Sequence, residues 1–158
     1  MDDITNALFA ASRQGNIPVL HEIFTHITNL NSKDERGFTP LIIAAYNNQP
    51  GAVAALLDAG ADVNAADNSG NTALMGACFK GYANIAQLLI TKGANLDAQH
   101  GNGGTALMFA AMFGRNELVD LLIQSGADTT ITDARGLTAM QLAQQQRNTE
   151  GMQKLQQA

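Results

Sequence analysis

A period of 33 residues constrains this chain more than any other feature of it. Gly37, Gly70, Gly103 and Gly136 stand 33 apart, as do Thr39, Thr72, Thr105 and Thr138, and again Ala44, Ala77, Ala110 and Ala143. Gly60, Gly93 and Gly126 keep the same step, and Ala follows each of them. A fixed period of this length marks stacked supersecondary units, because a unit so small cannot bury its apolar face except against a neighbour of the same kind. Framed this way, residues 1–158 form a single domain with full units at 34–66, 67–99 and 100–132. Residues 1–33 fit the frame as an atypical N-terminal cap, and 133–158 as a truncated C-terminal one.

Each unit repeats the same local chemistry. The threonine of the second column suits a helix N-cap, where a hydroxyl accepts an otherwise orphan backbone N–H, and Pro40 suits the first helical position. A helix of about nine residues is expected to end at Gly15, Asn48, Gly81 or Gly114, residue types that tolerate the left-handed conformation. A second helix follows, with Val53/Leu56–Leu57, Ala86/Leu89–Ile90 and Val119/Leu122–Ile123 spaced as one apolar face. The stretch from Ala61 to Gly70 and its counterparts are polar, Gly-bearing and hairpin-like. In the last unit Gln141, Gln144, Gln145 and Gln146 replace apolar or small residues, as the exposed end of a stack requires.

The strings DERGFTPLIIAAYNN, LLDAGADVNAADNSGNTALMGACFKG and GGTALMFAAMFGRNELVDLLIQSGADTT resemble ankyrin repeats, over essentially all 158 residues. The resemblance implies an all-α solenoid of helix-turn-helix units with short β-hairpin or turn connections, and no catalysis. The family commonly carries His after Thr-Pro-Leu. This chain has Ile42, Met75, Met108 and Gln141 there, so the slot is expected to be filled by packing rather than by the hydrogen bonds of that His.

Composition narrows the function further. A net charge of −5 and a pI near 4.9 argue against a nucleic-acid binder, and no apolar run is long enough to span a membrane. The acidic start and a lone Cys78 fit a cytoplasmic protein. Three features look like chemistry. His21 and His26 are spaced i, i+5, which sets two rings about 140° apart on a helix, too far for a shared metal. Gly101–Ala106 matches a dinucleotide fingerprint by letter but falls on a turn between units, without a preceding strand. Cys78 shares a column with Ala45 and Ala111 and reads as a small buried residue. No catalytic residue, metal or cofactor is expected.

Ankyrin stacks usually bind partners with their turn tips and first helices, which line a concave face. Carried over column by column, the resemblance implies contacts from Arg36, Phe38, Asn71 and Arg135 at the tips, and from Tyr46, Asn47, Phe79, Lys80, Met112 and Phe113 at the first-helix ends. Tyr46, Phe79 and Met112 share one register, so stacking makes them neighbours. Two readings stand. The column is an apolar docking ladder with a mildly basic rim (Arg13, Arg36, Lys80, Arg135), or its members pack on one another and on the hairpins. Phe109 stands one period from Gly76, and its ring is expected to pack in the space that glycine leaves. The function expected is a protein-interaction module for one partner protein, monomeric or weakly dimeric. The alternative is a small regulator or inhibitor of a specific enzyme, of an immunity or antitoxin kind.

Overall fold

A computed structural model describes residues 1–158. Ten helices follow one another in pairs. The first helices of the units are α1 (Asp3–Gln14), α3 (Pro40–Tyr46), α5 (Ala73–Lys80), α7 (Ala106–Met112) and α9 (Ala139–Gln145). The second helices are α2 (Ile17–Phe24), α4 (Pro50–Asp58), α6 (Ala83–Thr91), α8 (Asn116–Gln124) and α10 (Thr149–Gln156). Each first helix packs on the first helix of the next unit, and each second helix on the next second helix, so the chain is two parallel layers of helices. The connections are turns. Strand-like pairing is confined to an isolated bridge between Ala66 and Thr72.

Local chemistry explains where the helices begin and end. The side chains of Thr39, Thr72 and Thr105 accept from the backbone N–H of Ile42, Met75 and Met108 at 3.2–3.3 Å. Thr138 does the same for Gln141, and Gln141 Oε1 accepts from Thr138 N–H at 2.9 Å, which closes a capping box. The slot that lacks the family's His is indeed packed in the inner units: Ile42, Met75 and Met108 are buried. First helices end at Gly15, Gly81 and Gly114, with φ of 70°, 83° and 70°. Asn48 takes the same left-handed conformation at φ 56°, and so does Arg147 in the last unit, where no glycine or asparagine signals it.

The core runs the length of the stack between the two layers. Leu41, Leu74 and Leu107 from the first helices meet Leu56, Leu89 and Leu122 from the second, all at most 1% exposed. Cys78 lies among them, in the column of Ala45 and Ala111, and burial pushes its thiol up to about 12. Ser12 holds the same slot in the first unit and satisfies its hydroxyl on Leu8 C=O at 2.7 Å.

Side chains tie each unit to the next in a regular pattern. Asn31, Asn64 and Asp97 accept from the backbone N–H of Asp62, Asn95 and Asp128, 31 residues on, at 2.7–2.9 Å. At the turn tips, Arg36, Ser69 and Asn102 C=O accept from Asn68, Gly101 and Ala134 N–H at 2.9–3.0 Å. Gln49, Arg115 and Asn148 reach back to the terminal carbonyls of the preceding unit's first helix, at Arg13, Phe79 and Ala111.

Candidate functional site

The aromatic side chains at the first-helix ends meet across units. Tyr46 and Phe79 lie with rings nearly parallel, 10° apart, and centroids 6.3 Å apart. Phe79 meets Phe113 edge to face at 4.8 Å and 77°. Tyr46 and Phe113 remain 40% and 44% exposed, and Phe79 is half-buried between them. The ring run therefore passes from Phe79 to Phe113 and not along the strict register. Phe113 is the C-cap of α7, where the chain leaves the helix. Met112, half-buried, instead lines a neighbouring cleft of about 340 Å³ beside Phe109 and Leu142. Lys80 Nζ stands 4.8 Å from the centre of the Tyr46 ring, a cation–π contact worth about 0.5–1 kcal/mol at an exposed site.

Below the rings lies a larger cleft of about 540 Å³. The tip of unit one supplies Arg36 and Phe38, and the tip of unit two supplies Asn71. Asn47 forms part of the wall, its Nδ2 donating to Ile43 C=O at 2.8 Å. Asn71 serves the turn as well as the cleft, since its backbone and side-chain N–H groups both donate to Asp67. Arg135, further along, is paired with Asp133 at 3.2 Å. Asp133 Oδ1 accepts from Leu137 and Arg135 N–H, bonds that hold its carboxyl below the usual carboxylate range.

Two features of this cleft depart from the repeat pattern. Phe109 does not fill the space over Gly76: a Cβ at Gly76 would meet no heavy atom within 4 Å. The Phe109 ring lies edge-on to His100, with centroids 5.2 Å apart. His100, which carries no signal in the repeat pattern, lines both clefts. It stands where the other units have Asp34, Asp67 and Asp133, and its Nδ1 accepts from Gly104 N–H at 2.8 Å. Gly104 leaves room for the imidazole.

The other chemistry-like features are spent locally. His26 lies beyond the end of α2 and bonds Glu22 at 3.2 Å, while the His21 ring lies against Phe24. Gly101–Gly104 form a turn tip whose N–H and C=O groups bond the adjacent tips. No helix is long and apolar enough to cross a membrane.

Charge is distributed unevenly over the surface. Lys92 pairs with Asp58 at 2.7 Å, and Lys154 with Asp120, all on second helices or their ends. Arg36 and Lys80, beside the cleft, are in no ion pair. The Asp67 carboxylate, the acid that lines the cleft, is engaged by Ser69 N–H and by Asn71.

Comparison with known proteins follows the same period. A family profile described as ankyrin repeats (3 copies) matches residues 7–100, and another, ankyrin repeats (many copies), matches residues 89–143. The chain is similar to a palmitoyltransferase akr1 of Aspergillus oryzae, 45% identical over 53 residues. Those residues are 33% of this chain and 7% of that protein, so the chain spans a small part of that relative's length.

Proposed function

The chain belongs to the ankyrin repeat family, and on that premise we propose that it holds a partner protein on the face built by its first helices and turn tips. Ankyrin repeats are protein-interaction modules and are generally non-catalytic. The observation that carries the choice of face is the exposed ring run Tyr46–Phe79–Phe113, set above an apolar cleft and beside two cations without ion-pair partners. Rings of this kind are costly to leave in water and are enriched in the centres of interfaces. The rings also touch one another, which supports a preformed surface whose side-chain freedom is already reduced before binding.

The test uses native lysate with wild type and a Tyr46→Ala, Phe79→Ala, Phe113→Ala variant. The variant is expected to lose capture of the wild type's partner while keeping a cooperative thermal melt. Half-exposed side chains at helix ends contribute less to the stack than the leucines between the layers. A variant that no longer folds, or one that captures the same partner as well as wild type, would refute this choice of face.

A further inference from the structure

One column of the first-helix face reads Ala10, Ile43, Gly76, Phe109, Leu142. Large side chains flank a missing one. Ile43 and Phe109 line the same cleft on either side of Gly76, and the space where a Cβ would stand is empty to 4 Å. The walls are held independently of any occupant. Ile43 is buried, and Phe109 is fixed against His100, whose ring is anchored in turn by Gly104 N–H. The gap is a fixture of the native packing and lies within the open cleft.

The cations around it are unpaired, while its one carboxylate is hydrogen-bonded within its own turn. Arg36 lines the cleft and Lys80 stands over Tyr46 at its edge, both outside every ion pair. The Asp67 carboxylate is turned to its own turn's N–H groups. In a chain of net charge −5, a basic segment would be drawn to the acidic remainder, and an acidic one is favoured here. We propose that the gap over Gly76 is a socket for one large apolar side chain, aromatic or leucine, carried by an acidic segment of the partner protein. This rests on the reading that this face docks a protein. Binding energy concentrates where such an anchor fills a pocket that excludes water, with charged contacts at the rim steering and registering it.

Gly76 provides a clean variant. It sits inside α5, its φ is not left-handed, and a side chain added there meets nothing at its root. Gly76→Leu, and Gly76→Met as a second filling variant with a more pliant side chain, therefore plug the socket without disturbing the fold. The probe is a phage library of random dodecapeptides panned on wild type. Enriched peptides are expected to carry Phe, Tyr, Trp or Leu flanked by Asp or Glu. The most enriched one, synthesised, is expected to bind both filling variants and an Arg36→Glu, Lys80→Glu variant at least tenfold more weakly than wild type. Added salt should weaken its binding to wild type. If that peptide binds the filling variants as tightly as wild type but fails on Tyr46→Ala, Phe79→Ala, the socket is wrong and the docking face stands. If no peptide discriminates either set of variants, both fail. Basic or anchor-free peptides overturn the proposal. So does a wild-type dimer in sedimentation that Gly76→Leu abolishes, since the occupant is then a second copy. Loss of folding in both filling variants overturns it too, because the gap would then not be open.

Discussion

His100 shows how much a single position can depend on another. Asp34, Asp67 and Asp133 each close a turn tip by accepting two backbone N–H groups on one carboxylate oxygen. An imidazole in that place has one acceptor nitrogen to offer, which takes Gly104 N–H. A Cβ on Gly104 would stand 2.7 Å from the ring, so Gly104 and His100 are matched. Gly104→Asn alone should destabilise the protein by about 1–3 kcal/mol through overpacking. Adding His100→Asp, which restores the chemistry of Asp67 and Asn71, should recover most of it, and a chemical-denaturation double-mutant cycle reads the coupling. Purely additive losses would contradict the pairing. Comparing Gly104 with Asn71 down the column shows only a lost side chain. The contact that matters runs along the chain, four residues back, and column alignment does not register it. Phe109 follows the same logic: its ring lies against His100 and not in the vacancy at Gly76. Asp133 makes a pH prediction of known sign. Its pKa is depressed in the folded state, so its contribution is present above the ordinary carboxylate range and is lost as pH falls through the folded value. The melting temperature should fall below about pH 4, and Asp133→Asn, which keeps the acceptor but not the charge, should fall less steeply over that range. An equal slope would remove Asp133 from the account.

The helices, at 7 to 12 residues, are too short to persist alone, so their stability comes from the faces they bury. Leu89, fully buried in α6 at the middle of the stack, touches both layers' shared core. Leu89→Ala is expected to cost about 2–5 kcal/mol in a urea melt, and an unchanged midpoint would mean that the layers do not share a core there. Helix positions were legible in the sequence because their signals are local: Thr39, Thr72, Thr105 and Thr138 start helices, and Gly15, Gly81 and Gly114 end them. What was not legible is what packing imposes against local preference. Arg147 adopts φ 56° because α9 and α10 must turn where every other unit turns, whatever residue stands there. Gln141 reads as cap polarity, yet it also closes the capping box of α9, a role that depends on its rotamer. The connections read as hairpin-like, and each tip does close on itself, as in Asp34 N–H to Phe38 C=O and Asp67 N–H to Asn71 C=O, but strand-like pairing amounts to an isolated bridge and a single backbone bond joins each tip to the next.

At the scale of the molecule, the layered stack followed from the period, while the clefts did not, since they depend on which column members point toward each other. The bonds between units all join neighbours: Asn31, Asn64 and Asp97 each reach 31 residues ahead, and the turn tips bond tip to tip. Nothing fastens the first unit to the last. A load applied to the two termini would therefore be borne by interfaces in series, each yielding at its own threshold. In single-molecule stretching the chain should lengthen in discrete increments of about 100 Å, the contour released by one 33-residue unit, and on relaxation should shorten by the same quanta. One rupture releasing the whole contour would show that the units fail together. With stepwise yielding, tension that strips a terminal unit would leave the cleft spanning α3, α5 and α7 assembled, and the protein would keep its grip while being drawn out from either end.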